Sequence, residues 1–470
     1  MASAPPSSEA APFVRRIYTL HGLPPEVIAV AFAKTSRVPH AFDEIAAELS
    51  EEESSRFHEK WVIGYGHASV AEHAVLHIAL ENVSILATKV IEDNRLASYT
   101  EQSTRYQVYR RDRFFRPPAV MASRHAERFV ALCQALMSHY WEWVEPMMAH
   151  LAPTVERPEG MSGRLWETRV RAAACDALRY LLPTATQTNL GWTVNARVLE
   201  RAITKLRSHP LEEMRAIGES LREVATERVP TLLRYADPSE FLQRTPALMR
   251  EHSLALTESA PLDDQWDVRL VHFDPDAEER VVAALLYEHT RASYEETLRR
   301  VRAMSPEERN RVLDDAVRHR GQHDQVGRAW ETTTYTFDTL MDYGAFRDLQ
   351  RHRLATQINQ PISAAHGYLT PPEIVSGGFE NEYRRLMDEA REVHDAMAED
   401  LPSEAPYTVP LAYRKRTLFT MNLRELHHMI QLRTGPQGHP SYRLLSHRLL
   451  EEIRRVHPAL AAQIRHTPMN

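Results

Sequence analysis

The sequence predicts an α+β protein made of two tandem, helix-rich domains, each with a small sheet. Two observations carry this prediction. The chain of 470 residues contains an internal repeat, which indicates a duplicated structural unit. Short segments of alternating apolar and polar residues, typical of strands, are separated by longer segments with helical periodicity. The hydrophobic content of 43% and the charged content of 26% are ordinary for a globular protein.

The repeat is the stronger of the two observations. Three pairs of segments match, at offsets of 255, 258 and 227 residues: Ser50 with Ser305, Arg95 with Arg353, and 191–197 with 418–424. Ser50 and Ser305 each precede glutamates, a pattern typical of a helix N-cap. Because the last offset is shorter, we expect about 30 extra residues in the first copy, near 116–163.

The repeat also sets the expected domain boundaries. Proline, aspartate and serine cluster in 233–267, where apolar periodicity lapses, so we expect a linker there. The first copy is then a domain at 13–232, and the second copy is a domain at 268–470. Residues 1–12 lack the residue order of a signal peptide and are expected to form a disordered tail.

Local patterns place the elements inside each copy. Alternation predicts strands at 13–18, 266–273 and 332–337. The segment 338–350 has a helical pattern and leads into the tripeptide Arg-His-Arg at 351–353. Most of the remaining chain is predicted to be helical.

Composition excludes several classes of function. The net charge of -7 argues against a surface that coats nucleic acid, which would need a basic patch. No apolar run approaches the roughly 20 residues of a membrane-spanning helix. Two cysteines, Cys133 and Cys175, are too few for a disulfide framework, so a reducing cytoplasm is expected.

One helix carries a charge where an apolar residue is expected. Asn422 is predicted to be its N-cap, with Glu425 completing a capping box. The apolar face of the helix is formed by four residues: Leu423, Leu426, Met429 and Ile430. Arg433 falls in the middle of that face, where a charge is costly unless it meets an anion or lines a cavity. The first copy has Leu206 in the same register, so we interpret Arg433 as functional rather than as an arginine reaching solvent at the helix end.

Other charged residues are also divided between the copies. Arg416 lies six residues after a proline, and asparagine takes the equivalent place in the first copy. Conversely, the first copy has Ser103 and Arg105 where the second copy has Pro361 and Ser363. Taken alone, residues 101–105 would be interpreted as a polar surface loop.

Two further motifs are interpreted as structural. A second Arg-His-Arg tripeptide, at 318–320, is expected to be a solvated helix surface. His73 and His77 are four residues apart on a predicted helix, but no further metal ligand accompanies them, so we expect no metal site.

Pooled, the two copies resemble a known family. The second copy supplies Arg-His-Arg at 351–353, and the first supplies Glu-x-Ser-x-Arg-Tyr at 101–106. Together these strings resemble the signature of flavin-dependent thymidylate synthases. The segment 66–73, which includes Ser69, is similar to a histidine-rich segment of that family. The resemblance covers roughly 17–225 and 268–455.

The resemblance implies roles for individual residues. Members of that family are homotetramers whose active sites lie between subunits and hold FAD and dUMP. It implies FAD binding by eight residues: Ser69, Glu101, Arg351, His352, Arg353, Asn422, Arg424 and His428. It implies binding of dUMP or a related pyrimidine nucleotide by five: Ser103, Arg105, Arg351, Arg416 and Arg433. Arg433 would be the catalytic residue, which activates the pyrimidine ring by stabilising charge on it.

The implied activity is the reductive methylation of dUMP to dTMP. Methylenetetrahydrofolate would donate the carbon, NADPH would be the reductant and FAD would carry the hydride. Each site would combine one first-copy and one second-copy domain, and two chains would form a homodimer that mimics the tetramer. Three alternatives stay open: a flavin- or nucleotide-binding protein without turnover, a flavin enzyme acting on another pyrimidine, and a helical scaffold.

Overall fold

The computed structural model describes residues 15–60, 68–257 and 264–469. It is 54% helical and 13% strand, with two sheets, which confirms the predicted helix-rich α+β class. The tail expected at 1–12, and residues 66 and 67 of the histidine-rich segment, lie outside the described residues. Among the described helices, none is both long enough and apolar enough to cross a membrane.

The chain divides into two compact units, each assembled from several segments of the sequence. Among the described residues, the smaller unit consists of 15–60, 68–76, 194–203 and 220–237, and the larger unit consists of 77–193, 204–219, 238–257 and 264–469. The larger unit therefore contains parts of both copies of the repeat. The expected linker contains an 18-residue helix at Glu240–Thr257.

The smaller unit begins with three helices, α1 (Pro25–Lys34), α2 (Phe42–Ala47) and α3 (Glu51–Phe57), followed by a 3₁₀ helix at Ala68–His73. Ser50 caps α3 as predicted, because its hydroxyl accepts a hydrogen bond from the Glu53 amide at 3.1 Å. Residues 15–18 form no strand, so this part of the prediction for 13–18 was wrong. Their side chains are exposed, and alternation without a pairing strand does not make a strand.

The described part of the first copy continues through three strands and six helices: β1 (Val75–Ser84), α4 (Ile85–Ile91), β2 (Ala97–Glu101), α5 (Pro118–Met121), α6 (Ala126–Leu151), α7 (Gly163–Leu178), β3 (Gln187–Asn195), α8 (Ala196–Arg207) and α9 (Glu212–Thr226). The helix α10 (Glu240–Thr257) follows in the segment expected to be the linker. Its sheet has the strand order β1-β3-β2. His73 ends a 3₁₀ helix and His77 lies in β1, so the prediction that both share one helix was wrong.

The second copy contains the following elements: β4 (Val268–Phe273), α11 (Ala277–Tyr287), α12 (Tyr294–Arg302), α13 (Pro306–Val317), a 3₁₀ helix at Arg328–Thr332, β5 (Thr334–Asp342), α14 (Tyr343–Leu349), β6 (Thr356–Asn359), α15 (Pro372–Ser376), α16 (Glu380–Asp400), β7 (Arg414–Asn422), α17 (Leu423–Arg433), α18 (Pro440–Val456) and α19 (Pro458–Ala462). Its antiparallel sheet has the order β4-β5-β7-β6. Ser305 caps α13 as predicted.

The segment 338–350 was predicted to be helical throughout, and this was wrong for its first five residues. They complete β5, where Asp338 pairs with Leu418 of β7. The helix α14 starts only after Asp342, whose carboxylate accepts a hydrogen bond from the Ala345 amide at 2.7 Å. The N-cap therefore marks the change from strand to helix.

The element orders of the two copies match. The order β1-α4-β2 recurs as β5-α14-β6, and β3-α8-α9 recurs as β7-α17-α18. The three-strand order β1-β3-β2 has the same arrangement as β5-β7-β6, to which β4 is added at one edge. The pair α5-α6 within 116–163 corresponds to α15-α16, and each pair begins at Pro-Pro. Among the described helices of the first copy, α7 has no counterpart in the second copy, so it accounts for much of the extra length of the first copy.

Within the larger unit the two copies meet at equivalent positions. Pro183 and Pro410 form an isolated antiparallel bridge. Two backbone hydrogen bonds flank it symmetrically, from Thr184 N to Val409 O at 2.9 Å and from Leu411 N to Leu182 O at 3.0 Å. The bridge therefore relates the copies by a local pseudo-two-fold.

Candidate functional site

The tripeptide at 351–353 lies in the short connection between α14 and β6 of the larger unit. Arg351 is exposed, His352 is buried and Arg353 is half-buried. The guanidinium carbon of Arg353 lies 5.7 Å from the ring centroid of Tyr99, a residue of the first copy. The two arginines therefore face outward while the histidine between them turns into the protein.

The N-terminus of α17 was predicted correctly only in part. Asn422 caps the helix, and its side-chain oxygen accepts a hydrogen bond from the Glu425 amide at 2.9 Å. In a capping box the Glu425 side chain would also accept a hydrogen bond from the Asn422 backbone amide. Its carboxylate instead accepts a hydrogen bond from His352 Nδ1 at 2.8 Å. The capping box was predicted from spacing alone, and spacing cannot show a partner on another element.

Arg433 lies at the end of α17 and contacts the same histidine. Its Nε donates to His352 Nε2 at 2.9 Å, and its Nη2 donates to the backbone oxygen of Asp348 at 2.6 Å. Glu425, His352 and Arg433 thus form a continuous hydrogen-bonded chain. The leucine in the same register of the first copy, Leu206, is a buried core residue as predicted.

Burial controls the protonation of this chain. Burial, reinforced by the charge of Arg433, holds the pKa of His352 well below its usual value. Burial also raises the pKa of Glu425 to about 6. Burial lowers the pKa of Arg433, although a guanidinium stays protonated in proteins. At neutral pH the chain therefore consists of a carboxylate, a neutral imidazole and a guanidinium cation.

A cavity of about 750 Å³ opens beside His352. Five residues that were predicted to bind FAD line it: Arg351, His352, Arg353, Arg424 and His428. Two further arginines, Arg95 and Arg320, also line it. Five arginines against the carboxylates of Asp324 and Glu425 make the lining cationic, which favours an anionic ligand.

Sequence reasoning missed both Arg95 and Arg320. Arg320 was assigned to a solvated helix surface, and this was wrong. The helix α13 ends at Val317, and Arg320 turns toward the cavity with its Nη2 donating to Gln431 Oε1 at 2.6 Å. Arg95 is the first-copy equivalent of Arg353, so the repeat itself was a signal for it. Its Nη2 donates to Thr356 Oγ1 at 3.2 Å.

The loop that follows β2 in the first copy places Arg105 against α18 of the second copy. Arg105 forms two hydrogen bonds with the carboxylate of Asp176, each 2.7 Å long, and its Nη1 donates to the Tyr442 hydroxyl at 3.2 Å. The Ser103 hydroxyl accepts a hydrogen bond from the Arg105 amide at 3.1 Å. Arg433 approaches the same Tyr442 ring, with its guanidinium carbon 5.3 Å from the centroid. Residues of both copies therefore meet within one chain.

Glu101 lies in the interior of the larger unit. Its carboxylate contacts Lys89 at 3.0 Å and Arg347 at 2.9 Å and accepts a hydrogen bond from Thr88 at 2.9 Å. Burial favours the neutral acid, but Arg347 and Lys89 outweigh it and lower the pKa of Glu101 to about 2. Arg347 comes from the second copy, so this buried cluster also joins the two copies.

Two of the predicted residues, Arg416 and Ser69, are not among the residues that line the cavity. Arg416 lies on β7, where its Nη1 donates to Asp338 at 3.2 Å and its guanidinium carbon lies 4.6 Å from the Trp266 ring. Ser69 is exposed on a 3₁₀ helix of the smaller unit. Arg424, which does line the cavity, forms an ion pair with Glu331 at 2.6 Å. The structure therefore brings together the tripeptide and α17, but leaves Arg416 in a separate ion-pair cluster.

Comparison with known proteins agrees with the duplication. The model of the thymidylate synthase complementing protein family matches residues 20–231 and, a second time, residues 269–459. The chain belongs to this family. The two matched segments confirm that it is a tandem duplication of one family domain.

Relatives fall into two groups by length. A UPF0159 protein of Chlamydia pneumoniae is 33% identical over 427 residues, which cover 87% of this chain and 80% of the relative. A UPF0159 protein of Thermoplasma acidophilum is 29% identical over 455 residues, covering 89% and 90%. A flavin-dependent thymidylate synthase of Clostridium tetani is 27% identical over 223 residues, which cover 46% of this chain but 83% of that enzyme.

The crystal structure of a flavin-dependent thymidylate synthase from Helicobacter pylori, complexed with FAD and dUMP, aligns with a TM-score of 0.32 at 16% identity. The alignment covers 42% of this chain and 99% of that chain. At this level of similarity it adds nothing to the family assignment.

Proposed function

We propose that this protein is a flavin-dependent thymidylate synthase that methylates dUMP to dTMP, with methylenetetrahydrofolate as the carbon donor and NADPH as the reductant. One observation supports the proposal above all others. Five residues that the family resemblance assigned to FAD line one cavity of about 750 Å³, although they come from separate segments of the chain: Arg351, His352, Arg353, Arg424 and His428.

The residues of the cavity fit FAD. Its volume lies in the range of ligand pockets, roughly 300 to 1,000 Å³. Arginine forks suit the pyrophosphate, since they are permanently charged and donate two hydrogen bonds to one group. His427 also lines the cavity, and its buried Nε2 has no hydrogen-bond partner among the described residues. When bound and reduced, FAD would supply the hydride for the methyl group.

The nucleotide would bind where the two copies meet. Ser103 and Arg105 of the first copy would hold the phosphate, together with Arg351 and Arg416. Arg416 would first have to exchange its ion pair with Asp338 for the phosphate. Arg433 would stabilise negative charge on the pyrimidine ring, as a preorganised cation in a partly buried site. Ser69 and Glu101 remain proposed FAD contacts on the basis of the family resemblance.

A second candidate function is binding of flavin or nucleotide without turnover. The observation that favours it is the engagement of Arg433, whose Nε and Nη2 donors already bind His352 and the Asp348 carbonyl. A catalytic arginine needs donors that point at the substrate. If these bonds persist with nucleotide bound, the site would bind its ligands without activating the ring.

The test separates the two candidates. Purified protein is titrated with FAD and followed by absorbance and flavin fluorescence, and dTMP is then measured by chromatography after addition of dUMP, methylenetetrahydrofolate and NADPH. Formation of dTMP that depends on FAD supports the synthase. FAD binding without dTMP supports the second candidate, and absence of FAD binding overturns both.

We also propose that two chains pair, which would give four family domains per assembly. Light scattering measures the molar mass of the assembly directly. A mass of one chain, 54.0 kDa, at micromolar concentration would contradict the pairing.

A further inference from the structure

We propose that Glu425 is a positioning residue that fixes the tautomer of His352 and, through it, the orientation of the Arg433 guanidinium. The chain Glu425–His352–Arg433 would hold the arginine at the place where the nucleotide is to bind. The kinetic consequence of this inference rests on the proposed function, but its structural consequence does not.

The geometry allows one arrangement of protons. The ionised carboxylate of Glu425 can only accept, so His352 Nδ1, 2.8 Å away, must carry a proton. Arg433 Nε can only donate, so His352 Nε2, 2.9 Å away, must be bare. Both requirements are met by the neutral Nδ1-protonated imidazole and by no other form of the ring. His352 is 3% exposed and Glu425 is 4% exposed, so water does not compete for these bonds.

Other helices in this chain show what Glu425 would do if it were only a capping residue. Ser50 with Glu53, and Ser305 with Glu308, form complete capping boxes in which the glutamate turns back to the N-cap backbone. Glu425 occupies the same third position after its cap but leaves that bond unmade in favour of His352. Capping therefore does not account for its side chain.

The duplication provides an internal comparison for the whole chain of contacts. The first copy has Asn94 at the position of His352, at the offset of 258 that joins the two tripeptide regions. At the offset of 227 it has Val198 in place of Glu425 and Leu206 in place of Arg433. All three members are therefore replaced together. Residues from two separate segments, His352 in one and Glu425 with Arg433 in the other, are thus absent as a set, as members of one functional group would be.

The alternative is that Glu425 only compensates for the burial of a polar histidine. That role would need only some hydrogen-bond partner at Nδ1, donor or acceptor, and therefore no particular tautomer. A glutamine could satisfy it with its carbonyl, and it could equally donate from its amide and stabilise the Nε2-protonated ring. The two roles therefore differ in what Glu425→Gln does to the ring proton and to Arg433.

The experiment compares Glu425→Gln with Glu425→Asp, and with Glu308→Gln as the matched control. Glu308 has the same position on α13 and serves only a capping box. Nitrogen NMR of the histidine rings identifies the tautomer of His352 after assignment with His352→Gln. We expect a single Nδ1-protonated ring in the wild type, in the control and in Glu425→Asp, and a mixed or reversed tautomer in Glu425→Gln.

For turnover, we expect Glu425→Gln to lower kcat by about 10- to 100-fold, the usual effect of removing a residue that orients an active-site group, with little change in the KM for dUMP. Glu425→Asp should recover part of kcat. An unchanged tautomer in Glu425→Gln overturns the inference, and so does an altered tautomer with unchanged kcat. If the wild type makes no dTMP but the tautomer shifts as expected, the proposed function fails while the positioning of His352 stands.

Discussion

Arg105 of the first copy and Arg433 of the second copy flank the same aromatic ring, with their guanidinium carbons 6.0 and 5.3 Å from the centroid of Tyr442. These distances are at or below the limit of about 6 Å for attraction between a cation and a ring face. Tyr442 also accepts a hydrogen bond from Arg105. One side chain of α18 therefore connects the two arginines that the family resemblance assigns to the nucleotide.

This relationship bears on how a composite site is built. Arg105 and Arg433 both belong to the larger compact unit, so one chain supplies a first-copy and a second-copy residue together. The similarity to a flavin-dependent thymidylate synthase covers 46% of this chain. In a duplicated protein the two copies are free to specialise, because each needs to supply only its own part of a shared site.

Replacement of Arg433 by leucine tests the proposed catalytic residue. Arg433→Leu places in the second copy the residue that the first copy has at Leu206. We expect dTMP formation to fall by at least about 100-fold, the effect of removing one preorganised charge. We expect the protein to stay folded, since the lost hydrogen bonds, about 1.5 to 3 kcal/mol each for charged groups, are offset by the removal of a partly buried charge.

Steady-state kinetics and urea denaturation measure the two effects separately. Leu206→Met serves as a matched packing control, because it keeps an apolar residue in the same helical register. A fully active Arg433→Leu enzyme would show that the arginine is structural.

Flavin binding should depend on the Arg-His-Arg tripeptide at 351–353, which lines the cavity, and not on Arg318 and His319 of the second tripeptide. We expect His352→Ala with Arg353→Ala to weaken FAD binding by at least about tenfold, because both side chains line the cavity and a contact worth about 1.4 kcal/mol corresponds to tenfold. The control is Arg318→Ala with His319→Ala, which changes the same residue types at exposed positions of the second tripeptide. Fluorescence titration with FAD gives both dissociation constants, and equal losses in the two variants would contradict the assignment of the cavity.

Features that depend on neighbouring residues, such as helix N-caps, were predicted correctly from the sequence, whereas features that depend on distant residues were missed. Ser50, Ser305 and Asn422 were correctly predicted as N-caps, because capping is decided by residues within one turn. The segment 338–342 was misassigned because its strand structure depends on pairing with β7, which lies about 75 residues further along the chain. Periodicity cannot report a partner at that distance.

The candidate site shows the same division. Arg433 was singled out from helical register, and it does lie beside the tripeptide. The partnership of Glu425 with His352 joins two elements and could not be predicted from either. Arg320 was misassigned because helix α13 ends three residues before it, and the turn that follows directs its side chain. The repeat was the one signal in the sequence that carried long-range information.

The pair between Arg105 and Asp176, both of the first copy, should stabilise the loop whose Arg105 contacts Tyr442 of the second copy. Both side chains are largely buried, and their two bonds are short. We expect Asp176→Asn to lower the free energy of unfolding by about 2 to 3 kcal/mol, since breaking a buried pair costs up to 3–5 kcal/mol and this pair is not fully buried. The control on the same helix is Glu167→Gln, which breaks an exposed pair with Arg171 and should cost less than about 1 kcal/mol. Urea denaturation compares them, and equal losses would contradict the argument.

Glu101 should control the acid stability of the larger unit. Despite its burial, Arg347 and Lys89 lower the pKa of this carboxyl from 4.5 to about 2. A carboxyl whose pKa is lower in the folded state stabilises the fold above its unfolded pKa, and this stability is lost as the pH falls from about 4.5 to 2. The contribution is about 3 kcal/mol by that linkage. At neutral pH, Glu101→Gln would leave buried Lys89 and Arg347 without this partner and should cost about 3 to 5 kcal/mol.

The matched control is Glu296, whose pKa is likewise lowered to about 2, by hydrogen bonds from Arg299 and Arg300, but which lies on the exposed surface of α12. Solvent and salt screen that cluster, so Glu296→Gln should leave the acid limb of the stability curve almost unchanged. Unfolding free energies from urea titrations between pH 7 and pH 2.5 give the limb for each variant. Below pH 4.5, we expect the slope of the unfolding free energy against pH to decrease in Glu101→Gln by the equivalent of about one proton. The reason is that the variant lacks the carboxyl that takes up this proton on unfolding. A limb that flattens equally in both variants would mean that the lowered pKa of Glu101 contributes nothing beyond a surface ion pair.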